Sequence, residues 1–71
     1  MSLSPEQTKR ILLGNYKFSQ LGFSMLITRL RNLYYNDSSA DNLQNCTTEL
    51  NNFLRKYHAT MGTDFQQISS L

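Results

Sequence analysis

The apolar residues between positions 11 and 34 recur at helical spacing, and they fall on two faces rather than one. At about 100° per residue, one face collects Leu12, Tyr16, Phe23, Leu26, Ile27, Leu30, Leu33 and Tyr34. The other face collects Ile11, Phe18, Leu21 and Met25. A helix that is apolar on two sides needs two packing partners. The pattern therefore predicts an assembly of helices and restricts the ways in which a chain of this kind can fold.

A second helical pattern, further along the chain, is apolar on one face only. Its members are Leu43, Cys46, Leu50, Phe53, Leu54, Tyr57 and Met61. A helix with this pattern can cover one face of the first helix. The other face must then meet a second copy of the chain or a different protein.

The first helix has a clear start signal. Ser4 can accept a hydrogen bond from the following backbone, Pro5 suits the first helical position, and Gln7 is placed to return the bond. The apolar spacing then continues for about eight turns. We expect one long helix over about residues 5–35.

Residues 36–40 interrupt the pattern with side chains that compete for backbone hydrogen bonds. Asp41 can cap a second helix, which we expect over about residues 42–61. Gly62 suits the left-handed conformation that ends many helices. A short C-terminal helix should follow, with an apolar face formed by Phe65, Ile68 and Leu71.

These elements predict an all-α fold with residues 1–71 forming one domain. A connection of about five residues favours an antiparallel helical hairpin. A chain of 71 residues buries only a marginal core, and its one cysteine, Cys46, excludes an internal disulfide. Oligomerisation is the remaining common means of stabilisation, so the hairpin is predicted to pair into a homodimeric four-helix bundle.

The second face of the long helix is the predicted interface for a second copy or a partner. Gly14 and Gly22 each cost about 1 kcal/mol in a helix interior, which favours close approach of another helix there. The alternative is that the packing tolerates both glycines. The predicted interface residues are Ile11, Gly14, Phe18, Leu21, Gly22 and Met25.

The sequence offers little for catalysis. His58 is the only histidine and is expected at the surface, and Cys46 lies on an apolar stripe and is expected in the core. No paired carboxylates, phosphate-binding loop, nucleophile elbow or metal-binding spacing is present in the sequence. We therefore expect no enzymatic activity, no metal and no cofactor.

The positive charge lies mainly in the first predicted helix. Lys17, Arg29 and Arg31, with nearby tyrosines, are the residues that could contact nucleic acid. A solvated polar strip explains them as well, and nucleic acid is not the expected main partner. No apolar run approaches the length of a membrane span, and no secretory signal precedes the first helix, so we expect a cytoplasmic protein without membrane contact.

The leading functional hypothesis is a small non-enzymatic protein interaction module, such as a regulator or adaptor. It would act through helix packing on a second copy of itself, on another protein, or on both. Two alternatives stay open. One is a nucleic-acid-associated accessory factor that uses the basic strip, and the other is a stabilising subunit of a larger complex.

Overall fold

Four α-helices and one short 3-10 turn make up the fold, which a computed structural model describes over residues 2–71. The elements are α1 (Pro5–Leu13), α2 (Leu21–Asn36), α3 (Ala40–Tyr57), the 3-10 turn (His58–Thr60) and α4 (Thr63–Ser69). Within the described residues there is no strand, and the molecule measures 31 × 20 × 19 Å. The predicted all-α fold is confirmed.

The predicted long helix over 5–35 is wrong, because the chain leaves the helical conformation after Leu13. Gly14 is extended, with φ −88° and ψ 177°, although its N–H still donates to the carbonyl of Arg10 at 2.9 Å. Residues 14–20 form a loop, and α2 begins at Leu21. The first part of the chain is therefore two helices, and the chain is not a simple two-helix hairpin.

The break allows α1 to fold back and pack against both α2 and α3. Ile11 and Leu12 belong to different faces of the predicted long helix, yet both are fully buried. The two apolar faces of the pattern need two packing partners. Other helices of the same chain supply much of the second one. Two shorter helices thus replace the first helix of the predicted hairpin, and α2 still packs against α3.

The second predicted helix differs mainly at its ends. Ser39, rather than Asp41, caps α3 by accepting the N–H of Asn42 at 3.2 Å. The α-helix ends at Tyr57 instead of continuing to residue 61, and the 3-10 turn follows. The bounds 42–61 are therefore corrected to 40–57.

The predicted start signal of the first helix is confirmed, and the signal at Gly62 is confirmed in part. Ser4 Oγ accepts the N–H of Gln7 at 3.2 Å, and the side chain of Gln7 accepts the N–H of Ser4 at 2.9 Å, so the capping box is complete. Gly62 has the expected positive φ of 54°, but its ψ of −129° is not that of a left-handed helical residue, and it precedes α4 rather than ending α3. A positive φ of this kind is strained for side chains other than glycine.

The core gathers residues from every helix and from the N-terminal segment. Its buried apolar members are Leu3, Ile11, Leu12, Phe23, Ile27, Leu30, Tyr34, Cys46, Leu50, Leu54, Met61 and Ile68. Phe65 and Leu71 pack against it while half-buried, so the short C-terminal helix and its apolar face are confirmed. The core fixes which side of each helix faces outward.

Candidate functional site

Three of the predicted interface residues do not lie on an open helix face. Ile11 is fully buried and so has no surface to offer a partner. Gly14 lies in the loop between α1 and α2. Phe18 is half-buried in the same loop, and its ring meets Phe23 edge-on with centroids 4.8 Å apart.

Leu21 and Met25 remain on the surface, one helical turn apart on the side of α2 that faces away from the core. Their exposed fractions are 72% and 64%, the highest among the large apolar residues apart from the 65% of Tyr35. Phe23 and Ile27, on the opposite side of the helix, are buried. We call Leu21 and Met25 the ridge.

Gly22 lies beside the ridge and next to a side chain of α3. A Cβ added at Gly22 would lie 3.3 Å from the Cζ atom of Phe53. The space at this glycine is therefore bordered by a phenylalanine ring of the same chain, while Gly22 itself is exposed.

A shallow groove of about 270 Å³ runs between α2 and α3 next to the ridge. Its lining residues are Leu26, Glu49, Asn52, Phe53, Lys56 and Tyr57, and we refer to these as the groove. Phe53 connects it to the core, because its ring lies 5.5 Å from that of Phe23 and 4.6 Å from that of Tyr57. The floor of the groove is therefore apolar and firmly packed.

The rim of the groove carries charges of both signs. Arg29 and Glu49 form an ion pair across α2 and α3 with an N···O distance of 2.5 Å. Lys56 Nζ lies 5.4 Å from the ring centroid of Tyr57, within cation–π range. The sequence pattern places Phe53 and Tyr57 on the apolar face of the second predicted helix. The spacing of that pattern does not indicate that Tyr57 is 39% exposed.

The three predicted nucleic-acid contacts are only partly brought together. Arg29 is occupied by Glu49, whereas Arg31 Nε donates to the carbonyl of Leu12 at 2.7 Å and so caps the end of α1. Lys17 is exposed in the loop, and it lines a cleft together with Arg31 and Tyr16. Arg29 does not line that cleft, so the predicted strip is divided.

Lys9 and Arg10, absent from the predicted contacts, lie on the other side of Tyr16. They line a second cleft with Glu6, Leu13, Gly14 and Tyr16. The fold-back of α1 thus adds two cations to the neighbourhood of Lys17 and Arg31. The sequence signal that could have indicated them is their position in the same basic N-terminal half of the chain.

The remaining titratable groups have structural roles. Cys46 is buried, and burial, followed by the nearby charge of Glu49, raises the pKa of its thiol above the ordinary value. His58 is exposed, with its ring packed edge-on against Phe65 at 5.1 Å. Both predictions, a core cysteine and a surface histidine, are confirmed. Within residues 2–71 no three His, Cys, Asp or Glu residues form a group suited to a metal ion.

None of the helices in the described part of the chain combines the length and apolar character needed to cross a membrane. Comparison with protein-family models, with curated proteins and with solved structures finds no match for this chain.

Proposed function

We propose that this protein is a small, non-enzymatic interaction module that self-associates through the ridge and the groove. The observation that carries the proposal is the exposure of Leu21 and Met25, at 72% and 64%, directly beside an apolar groove. Soluble monomers rarely leave contiguous large apolar side chains in water, and such patches mark interaction sites. In this proposal the protein acts as a regulator or adaptor through helix packing.

A second copy of the chain is the occupant that this surface favours. A protruding ridge next to a recessed groove is self-complementary, because a two-fold axis lets each copy insert its ridge into the groove of the other. Met25 suits the centre of such a contact, since methionine adapts its shape to irregular apolar surroundings.

The charged rim is compatible with the same arrangement. Glu49 and Lys56 both line the groove, so two copies related by a two-fold axis can place opposite charges across their contact. Such rim pairs add more to orientation than to affinity.

An interface of ordinary size would cover only part of this small chain. A standard interface buries about 800 Å² on each partner, which is about a fifth of the 4506 Å² accessible on this chain. The ridge and groove would form the apolar centre of such an interface and the charged residues its rim.

Light scattering across a dilution series tests the proposal. We expect the solution mass to rise from that of one 8.2 kDa chain toward that of two as the concentration increases. A mass that stays at one chain throughout the series would contradict self-association and leave the ridge and groove to a different protein.

A matched pair of double variants locates the interface. Leu21→Lys with Met25→Lys should weaken association at least tenfold, equivalent to about 1.4 kcal/mol, because it places like charges at the centre of the contact. Leu13→Lys with Tyr35→Lys makes the same change in charge at residues that are 48% and 65% exposed but line no part of the groove. Equal weakening by both pairs, with helix content unchanged by circular dichroism, would show that the interface lies elsewhere.

A further inference from the structure

The positive charge of the folded chain is concentrated around Tyr16. Two clefts share Gly14 and Tyr16, and together they are lined by four of the seven cationic residues, namely Lys9, Arg10, Lys17 and Arg31. Glu6 is the one acid that lines either cleft. These five charges sum to +3, whereas the net charge of the whole chain is +2, so the rest of the molecule carries −1. We call Tyr16 and these four cations the Tyr16 surface.

The cations of this surface are available to a ligand. The ion pair found within residues 2–71 joins Arg29 to Glu49 and involves none of them. Lys9, Arg10 and Lys17 are exposed, and Arg31 is half-buried because its Nε holds the carbonyl of Leu12. Anchoring at that one nitrogen fixes the direction of the guanidinium and leaves its terminal amino groups for other partners.

Tyr16 is held in place while part of its ring stays in solvent. The ring rests against Gly14, where an added Cβ would come within 2.7 Å of it. It stacks on Phe18 at 6.3 Å with an interplanar angle of 22°, and Phe18 in turn packs edge-on against the buried Phe23. With 37% of Tyr16 exposed, the surface presents a supported aromatic ring between two groups of cations.

We infer that the Tyr16 surface binds single-stranded nucleic acid, with the cations contacting successive phosphates and the tyrosine ring stacking on a base. Clustered lysine and arginine supply affinity for phosphates, and a fixed aromatic ring flanked by positive charge is the arrangement by which proteins hold unpaired bases. An acidic peptide would use the cations but would leave the ring without a role. The inference does not depend on self-association, because the ridge and groove share no residue with this surface.

Fluorescence anisotropy with a labelled oligothymidylate tests the inference on the intact protein. Each phosphate contact on a single strand contributes about 0.7 to the slope of log K against log salt. Four cations therefore predict a slope of about −2 to −3. Absence of binding at low salt, or binding that does not change with salt, would overturn the inference.

Two charge variants separate this surface from the overall positive charge. Lys9→Gln with Lys17→Gln should make the salt slope shallower by about 1.4, since two phosphate contacts are lost. Arg55→Gln removes one positive charge from α3, at a residue that lines neither the groove nor the two clefts, and should leave the slope unchanged. If its change in slope per removed charge equals that of Lys9→Gln with Lys17→Gln, the attraction is diffuse and the assignment to this surface is overturned. Arg31 is left intact because it caps α1.

Tyrosine variants test the stacking role. Tyr16→Ala should weaken binding about tenfold or more, and Tyr16→Phe should retain affinity, because stacking needs the ring and not the hydroxyl. Tyr35→Ala, at another exposed tyrosine, serves as the control and should have no effect. If Tyr16→Ala binds as well as the parent protein, or if a polyglutamate peptide binds as tightly as the oligothymidylate, the nucleic-acid assignment is overturned in favour of general polyanion binding.

Discussion

The carboxylate of Asp64 accepts the backbone N–H of Ser19 at 2.8 Å, although the two residues are 45 positions apart in the chain. Its second oxygen accepts the N–H of Gln20, also at 2.8 Å. Asp64 is fully buried in the first turn of α4, so this single side chain satisfies two amides of the loop that precedes α2. Gln67 adds a third link from α4 by donating to the carbonyl of Lys17 at 2.9 Å.

Asp64→Asn should lower the free energy of unfolding by about 2 kcal/mol. The amide group keeps one acceptor oxygen but turns an NH₂ toward the second backbone N–H, which is left unsatisfied in a buried site. Asp41→Asn is the control, because it makes the same chemical change at an exposed first-turn position of α3 and should cost less than about 1 kcal/mol. Urea denaturation measures the free energy of unfolding of both variants. Equal losses of stability would contradict the role of Asp64 in holding the loop.

The hydrogen bonds from α4 to this loop explain why the loop at 14–20 was not predicted from the sequence. The apolar spacing runs through the break without a change of phase, and Gly14 is the main local hint that the helix stops. The contacts that fix the loop come from Asp64 and Gln67, at the far end of the chain. Local signals such as the Ser4 capping box were predicted correctly, because both partners lie within one helical turn.

Thr8 and Thr47 should show strong coupling in a double-mutant cycle. Their hydroxyl oxygens are hydrogen-bonded at 2.9 Å in the core between α1 and α3, and Thr47 Oγ1 also lies 2.9 Å from the carbonyl of Leu43. Both threonines are buried. Thr47→Val should cost about 1–3 kcal/mol because it leaves the Thr8 hydroxyl without its partner, whereas valine at both positions should be close to neutral.

The cycle is read from urea denaturation of the two single variants and the double variant. A favourable coupling of at least about 1 kcal/mol is expected. Additive losses would mean that each hydroxyl finds another partner when its neighbour is removed.

Cys46 should be unreactive in the folded protein and should make stability fall at alkaline pH. Its side chain is 1% exposed, and burial, followed by the charge of Glu49, raises its pKa above the ordinary value of 9.0. As the pH rises through that value, the unfolded chain releases the thiol proton while the folded chain retains it. The free energy of unfolding therefore decreases with rising pH.

Two measurements check this prediction. A disulfide exchange reagent should label Cys46 in urea but not in native buffer. The stability difference between the parent protein and Cys46→Ala should narrow above about pH 9, because only the parent protein has the thiol to titrate. Rapid labelling in native buffer would show that the thiol is accessible and would contradict both expectations.

Helical spacing predicts correctly which residues share a face within one helix, but it does not do so across a break in the helix. The candidate interface was therefore predicted only in part. Leu21 and Met25 lie on the same helix and are both exposed. Ile11 belongs to α1, which turns back at Gly14, so its predicted neighbours on the same face are no longer beside it. The same turn brings Lys9 toward the surface around Tyr16, a neighbourhood that spacing along one helix does not describe.

Gly14→Ala should change the free energy of unfolding in opposite directions for the observed break and for a continuous helix. In a continuous helix, alanine would stabilise the protein by about 1 kcal/mol relative to glycine. At the observed Gly14, an added Cβ would lie 2.7 Å from the backbone oxygen of Arg10 and 2.7 Å from the ring of Tyr16. The Arg10 carbonyl cannot move away without losing the Gly14 N–H that it accepts at 2.9 Å. The substitution should therefore destabilise the fold by about 1–3 kcal/mol.

Asn45→Ala provides the calibration for that measurement. Asn45 is exposed in the middle of α3, where alanine should stabilise the protein by about 0.5 kcal/mol through helix propensity alone. Urea denaturation gives the change in the free energy of unfolding for both variants. The two changes have opposite signs if α1 ends at Leu13 and the same sign if the helix continues. A stabilising Gly14→Ala would also remove the support for Tyr16, because the position of its ring depends on the turn at Gly14.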